Sequence, residues 1–362
     1  GERAERVASS ARIRAVYSDW RLMLREVPLD ALICATDSLL TAEVITGANA
    51  AVKWLWIDCP PAPSSLATQQ LQKLLAGRAN RVWCAPSLRL AWAHRAASRA
   101  VERGRIGAPL AFHFRWPFPL CAPDANTRDV STHIARDSVH LSSSYAAFDL
   151  LLALAAHRPE NSEHNEDARY GFAQARPLRS VSSRGACVSA SENGGATSLL
   201  IQLAGGVQAT ALFASADSWN APLPRVEICG TQGRSLVCEA GRRMWLHQPR
   251  EATEFREPPG LAPNVSAANV LGVAENLKAF LAACAADGEK MHSGNDAERI
   301  TETSLRSAFH ALRLLESAGQ SLSDGASVKV EPGHHDDERT EHLPSSENFA
   351  PAASAANLTL PL

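Results

Sequence analysis

The sequence WLWIDCPPAPSS, residues 54–65, joins the end of one secondary-structure element to the start of another. Four large apolar residues stop at Asp58-Cys59-Pro60, which predicts a buried strand that ends in a turn. The two serines that close the stretch can N-cap a helix, and apolar residues recur at helical spacing after them. A strand followed directly by a helix is the repeating unit of a parallel α/β sheet.

The same alternation continues on both sides of this stretch. Apolar runs that predict strands read DALICAT, VKWLWID and RVWCAP. Segments with helical periodicity lie between and after them and read LLTAEVITGANAA, SLATQQLQKLLAG and LAWAHRAASRAVERG. Gly104 follows the last of these and is predicted to end it in the left-handed conformation. Residues 1–108 are therefore predicted to form a domain with a parallel sheet.

A different pattern begins at Pro109. Two-periodic runs such as LAFHFRW, ATSLLIQLA and RVEICGTQGRSLVCEA are joined by Gly, Asn or Ser turns, as in an antiparallel sheet, and three helical segments accompany them. Residues 109–330 are predicted to form this second, α+β domain. The polar segment 331–362 is expected to be disordered, and its HHDDERTEH run lacks the preformed geometry that a metal site needs.

Composition excludes several classes of function. The chain has 362 residues, 45% of them hydrophobic, and a net charge of −2 with scattered basic residues, so nucleic acid and anionic membranes are not expected partners. No apolar run reaches a membrane span, and the first residues lack a signal-peptide core, which predicts a cytoplasmic protein. The eight cysteines form no CxxC pair, so most are expected to be buried. A small molecule is the expected partner.

Six segments occur in an order that resembles the Gfo/Idh/MocA family, which includes glucose–fructose oxidoreductase and inositol dehydrogenase. They read DALICATDSLLTAEVI, WLWIDCP, ERGRIGAPLAFHFRW, FDLLLALAA, VEICGTQGRSLVCE and AENLKAFLAA. The resemblance covers roughly residues 2–330 and implies a Rossmann-type sheet followed by an α/β domain with a large, open, mostly antiparallel sheet. It also implies NAD or NADP as cofactor, a sugar, polyol or related substrate, and a homo-oligomer formed through the second sheet.

The start of the chain departs from that family. Members begin with a strand, a GxGxxG turn and a second strand, whereas this sequence starts with GERAERVA, which resembles the helix after that second strand. The glycines of CGTQGRS, residues 229–235, are predicted to form a hairpin turn instead. A strand is expected at IRAVY, residues 13–17, on the far side of the missing pair. We therefore expect an upstream segment with a strand-GxGxxG-helix pattern in the natural protein.

The resemblance places the cofactor and the first catalytic group at two turns. Family members carry Glu-Lys-Pro where this chain has Asp58-Cys59-Pro60, so Cys59 takes the position of the catalytic lysine. A thiol is neutral at its usual pKa of about 8.5 and is a poor substitute, although a reactive thiolate is the alternative. The positions implied to contact the cofactor lie in this turn and in the turn after DALICAT. They are Ala35, Thr36, Ser38, Asp58 and Pro60.

The second catalytic motif of the family, Asp-x-x-x-His-x-x-Asp, is also altered. Aligned on FDLLLALAA, its positions are occupied by Ser142, Ala146 and Asp149, and only the last keeps an acid that the resemblance places near the substrate. Tyr145 is an alternative acid. Another alternative uses residues that share one face if THIARDSVHLSSSY is helical, and these are His133, Asp137 and His140.

Arg115 and Trp116 end the run AFHFRW and are predicted to line a polar cleft between the domains, with the indole as a platform for a sugar. Strand packing is the alternative for both residues. Two functional classes remain. One is an NAD(P)-dependent oxidoreductase with a non-standard acid-base set, and the other is a catalytically inactive relative that acts as a ligand sensor, regulator or scaffold.

Overall fold

The protein is described by a computed structural model, and every structural statement below concerns the residues that it describes. These are residues 2–36, 38–48, 52–57, 60–75, 81–84, 87–117, 120, 134–156, 187–193, 196–203, 206–214, 224–257, 272–289 and 294–330. The compact unit Gly1–Glu331 contains all of them. The tail that the sequence predicts to be disordered lies outside the described residues.

Three parallel strands form the first sheet, as the alternating pattern predicts. They are β1 (Leu29–Cys34), β2 (Val52–Ile57) and β3 (Arg81–Cys84), in the order β1-β2-β3. Helix α3 (Ser38–Ala48) follows β1 and helix α4 (Ser65–Leu75) follows β2. The apolar run of β2 is buried at five of its six positions, because helices cover both of its faces.

The segment before β1 differs from the prediction. Helix α1 (Glu2–Ser10) and helix α2 (Trp20–Glu26) are present, but residues 13–17 form no strand. The β-branched and aromatic residues of IRAVY favour a strand only where a neighbouring strand can pair with them. Among the described residues, β1 pairs with β2 alone. The expectation of a strand at IRAVY is therefore wrong for this structure, whereas that of an upstream segment stays a prediction.

Helix α5 (Trp92–Glu102) leads into the second sheet, and Gly104 ends it with a φ of 68°, as predicted. Nine described strands form this sheet in the order β11-β10-β9-β8-β4-β7-β6-β5-β12. Their bounds are β4 (Pro109–Trp116), β5 (Cys187–Asn193), β6 (Ala196–Gln202), β7 (Gln208–Ala214), β8 (Arg225–Gly230), β9 (Ser235–Glu239), β10 (Arg243–His247), β11 (Glu254–Arg256) and β12 (Val328–Lys329). Only the β4–β7 pair is parallel. The predicted hairpin turn joins β8 to β9.

Three long helices complete the fold, namely α6 (Ile134–Ala155), α7 (Val273–Glu289) and α8 (Gly294–Asp324). Helix α8 packs against β3 and α4 beside the first sheet and against α6 and β5 beside the second. Phe280 of α7 packs on Trp54, Trp56 and Trp83 on the opposite face of the first sheet. The first sheet is thus covered on both faces by helices from the end of the chain.

Strand β4 begins at Pro109, where the sequence predicts a second domain, and residues 1–331 form one compact unit, so the domain boundary stays a prediction. The overall architecture is α/β, with a small parallel sheet and a larger, mostly antiparallel sheet, as the sequence predicts. Within the described ranges, no helix is long and apolar enough to cross a membrane. The same described residues contain no cluster of His, Cys, Asp and Glu that could hold a metal ion.

Candidate functional site

The carboxyl ends of β1, β2 and β3 lie side by side at one edge of the first sheet. Cys34, Ile57 and Cys84 are partners in register across the three strands. Open parallel sheets bind ligands outside the carboxyl ends of their strands, because the following turns and helix N-termini converge there. We refer to this edge and the turns that leave it as the carboxyl edge, and it is the candidate site.

The turn after β1 is held by its own side chains. The hydroxyl oxygens of Thr36 and Thr41 lie 2.8 Å apart, and the Cys34 sulfur lies 3.3 Å from the Thr36 hydroxyl. Thr41 is buried, whereas Ala35 is exposed. Three of the predicted cofactor contacts belong to this turn. Ala35 is exposed, whereas Thr36 is half-buried and its hydroxyl already has partners. The side chain of Ser38 lies outside the described residues.

The turn after β2 is described only from Pro60 onward. Pro60, Pro61 and Ala62 are all buried, so this part of the turn is packed against the protein. Asp58 and Cys59 lie outside the described residues. The catalytic role of Cys59 and the cofactor contact of Asp58 therefore stay predictions.

Tyr145 lies in the core beside the end of β3. Its side chain is 2% exposed, and its hydroxyl is 3.7 Å from the Cys84 sulfur. Burial is the largest cause that raises the pKa of Tyr145 well above its usual value, and nearby Cys84 and Asp149 raise it further. The phenol therefore stays protonated at neutral pH and does not act as a base. A substrate would reach it only after the surrounding side chains had moved.

Asp149 lies one helical turn after Tyr145 and is fully buried. Its carboxylate accepts two hydrogen bonds from the Arg89 guanidinium, which also donates to the Ser307 hydroxyl. Burial raises the pKa of Asp149, while Arg89 and Ser307 oppose the increase. Bidentate pairing of this kind is the strong form of an arginine–carboxylate contact. A substrate contact at Asp149, as predicted, would require this ion pair to open.

Arg115 and Trp116 point to opposite faces of β4, because neighbouring residues of a strand alternate. Trp116 is buried, and its indole nitrogen donates to the Ser143 hydroxyl at 2.8 Å. Arg115 is half-buried on the other face, where its register partners are Leu212 and Arg225. The prediction that both line one cleft is therefore corrected, since a single site can receive only one of them.

Helix α6 contains the remaining predicted acid–base residues. Asp137 and His140 lie in its first two turns, but their side chains and all of His133 are outside the described residues. Ser142 and Ala146 occupy the altered family positions and are half-buried. Their roles stay predictions.

Sequence reasoning missed the groups that complete this polar network. Arg89 lies in a short 3₁₀ turn (Ser87–Leu90), and Ser307 lies on α8. The signal for Arg89 was its place between Leu88 and Leu90, because an arginine inside an apolar run needs a buried partner. No comparable signal marks Ser307, which is one of several serines on a long helix.

Comparison with known proteins gives a fold and no family. No protein-family model matches this sequence, and no curated protein matches it significantly. Among solved structures, a dehydrogenase from Chromobacterium violaceum is similar over 89% of this chain and 85% of its own, with 16% identity and a TM-score of 0.64. An oxidoreductase domain protein from Kribbella flavida is similar over 91% and 88%, with 15% identity and a TM-score of 0.66. A levoglucosan dehydrogenase in complex with NADH and levoglucosan is similar over 91% and 87%, with 16% identity and a TM-score of 0.63. The chain thus has the fold of these dehydrogenases.

Proposed function

We propose that this protein is an oxidoreductase that binds NAD(H) or NADP(H) at the carboxyl edge and acts on a hydroxyl or keto group of a sugar, polyol or related compound. The observation that carries the proposal is the likeness to dehydrogenases along about nine-tenths of the chain. The levoglucosan dehydrogenase that it resembles was solved with NADH and a sugar derivative. The edge of the sheet where a ligand of this fold class binds is present here as well.

The described residues fit such a cofactor only in part. Ala35 leaves the backbone after β1 accessible at the carboxyl edge, which suits a flat ring that approaches the strand ends. A pyrophosphate needs free N–H groups at a helix N-terminus. The N-terminus of α4 does not offer its first amide, because the Glu316 carboxylate already accepts the N–H of Ser65. No step of hydride transfer follows from these contacts.

A titration of the protein with NADH and NADPH, followed by fluorescence or calorimetry, tests the cofactor proposal. Ala35→Leu should weaken binding, because it places a larger side chain on the exposed turn after β1. Ala108→Leu is the matched control, since Ala108 is also exposed but precedes β4 at the start of the second sheet. Saturable binding that Ala35→Leu weakens and Ala108→Leu leaves unchanged supports the proposal. Binding that neither variant changes would place the cofactor elsewhere.

The substrate class is tested by screening sugars, polyols and their ketones with the cofactor that binds. Turnover that falls in both Cys59→Ala and Tyr145→Phe would support the catalytic roles predicted from the sequence. Turnover that survives both substitutions would mean that the acid–base groups are other residues. Absence of binding to either cofactor would favour the second class, a sensor, regulator or scaffold, and would direct the search to protein partners.

A further inference from the structure

The turn between β2 and α4 is tied to the last long helix by one carboxylate. Glu316 of α8 accepts the backbone N–H of Ser65 at 2.7 Å through Oε1 and the Ser65 hydroxyl at 2.5 Å through Oε2. The two residues are 251 positions apart in the sequence. Ser65 is the first residue of α4, so the carboxylate lies at the positive end of that helix, where a negative charge is stabilised.

This contact adds to the capping of α4. The first amides of a helix have no partner within it and need one from outside. The Ala67 amide donates to the Ser64 hydroxyl at 3.1 Å, and the Thr68 amide donates to the Ser64 carbonyl at 2.9 Å. Ser64 thus acts as the local cap that the sequence predicts, and Glu316 supplies the partner that the Ser65 amide would otherwise lack. The start of α4 is therefore fixed in position from within its own segment and from α8.

Helix α8 provides a fixed support for this carboxylate. On the N-terminal side of Glu316, Ser307 contacts the buried Arg89–Asp149 pair. On its C-terminal side, the Ser321 hydroxyl accepts the Ala190 amide of β5 at 2.9 Å. Helix α8 is thus held on both sides of Glu316, so the start of α4 is bound to a helix that other contacts already fix.

We infer that Glu316 is a positioning residue that sets the placement of the turn after β2, and thereby the affinity of the carboxyl edge for its ligand. The part of the inference that concerns the ligand rests on the proposed function. The part that concerns the turn does not, because it follows from the Glu316–Ser65 contact and from the burial of Pro60, Pro61 and Ala62 next to it.

The test uses the full chain and the variants Glu316→Gln and Ser65→Ala, alone and combined. Ser317→Ala is the matched control on the same helix, because the Ser317 hydroxyl donates to the Arg313 carbonyl within α8. NADH is the probe for affinity, and hydrogen exchange of the amides at positions 65–68 is the probe for the turn. Glu316→Gln removes the negative charge from the cap, and Ser65→Ala removes the hydroxyl hydrogen bond but keeps the backbone one, so we expect each variant to raise the NADH dissociation constant about 5- to 10-fold. The combined variant should raise the dissociation constant by less than the product of the two single effects, because both substitutions weaken the same contact.

Hydrogen exchange at Ser65 should become about 10-fold faster in Glu316→Gln and stay unchanged in Ser317→Ala. Unchanged exchange in Glu316→Gln overturns the inference, whether or not the protein binds NADH. Multiplicative effects of the two substitutions on NADH affinity also overturn it, since they would mean independent roles. If the unaltered protein binds neither NADH nor NADPH, the proposed function fails, and faster exchange at Ser65 still supports the positioning of the turn.

Discussion

Replacing Asp149 with asparagine removes the negative charge that the buried Arg89 guanidinium contacts. The side chains of these residues are 0% and 3% exposed, so water cannot replace the lost partner. Arginine cannot release its proton within a protein, and the positive charge therefore stays. Removal of one member of a buried, hydrogen-bonded ion pair costs about 3–5 kcal/mol, and we expect a loss of that size in the free energy of unfolding of Asp149→Asn.

In the opposite variant, Arg89→Met, the loss in the free energy of unfolding should depend on pH. It leaves a buried carboxyl group that can take up a proton, and its folded-state pKa is then raised above the unfolded value of about 3.9. Below that pH the Asp149 carboxyl group is protonated in both the folded and the unfolded state, so the loss of the Arg89 charge lowers the free energy of unfolding only slightly. As the pH rises toward the raised folded-state pKa, the deficit grows by about 1.4 kcal/mol per pH unit. The free energy of unfolding of Asp149→Asn should lack this contribution, because an asparagine side chain does not titrate.

Urea unfolding of both single variants and of Arg89→Met/Asp149→Leu measures these energies. The combined variant replaces the pair with apolar side chains and should lose far less than the sum of the single losses, about 2 kcal/mol or less. Additive losses, or a loss below about 1 kcal/mol in Asp149→Asn, would show that the pair is not the buried contact described above. Arg89 and Asp149 would then be accessible to a ligand.

Three further predictions concern other parts of the molecule. Burial lowers the pKa of His94 to about 4, below its unfolded value of 6.5. The free energy of unfolding should therefore be unaffected above pH 6.5 and about 2 kcal/mol lower at pH 5, because the unfolded state binds the proton more tightly. Urea unfolding should show this loss in the unaltered protein and in the control His247→Gln, but not in His94→Gln. A Cβ at Gly230 would lie 2.1 Å from the Ile106 carbonyl oxygen, and Gly230→Ala should therefore lower the free energy of unfolding by about 1–3 kcal/mol, or prevent folding, as thermal unfolding would show. We also propose that the face of the second sheet that exposes Leu200 of β6, a residue 51% exposed, pairs with a second copy of the chain. Leu200→Glu should then convert a dimer to a monomer in sedimentation, and an unaltered protein that is already monomeric would refute this.

The first sheet could be predicted because its signals are local. Apolar runs of four to six residues, serine caps and a terminal glycine each determine the structure of a few neighbouring residues, and β1, β2 and β3 follow from them. The prediction of a strand at IRAVY was wrong because it also used local signals alone. Its composition favours a strand, but strand formation depends on a partner that no local pattern supplies.

The candidate site was less predictable, because it is assembled from distant segments. Arg89 and Asp149 are 60 positions apart, and Glu316 meets Ser65 across 251. Spacing on α6 indicated where Tyr145 lies but not which of its neighbours would cover it. The correction at Arg115 and Trp116 was within reach of sequence reasoning, because adjacent residues of any strand point to opposite faces.

The placement of α8 also has a consequence for how the protein is made. The first sheet needs α7 and α8 as its covers, and both are synthesised long after β3 has left the ribosome. At ordinary rates of translation, the interval between the end of β3 and the end of α8 is on the order of 10–50 s. Trp54, Trp56 and Val82 lack these covers during that time, which makes the nascent chain a natural client for chaperones that bind apolar segments.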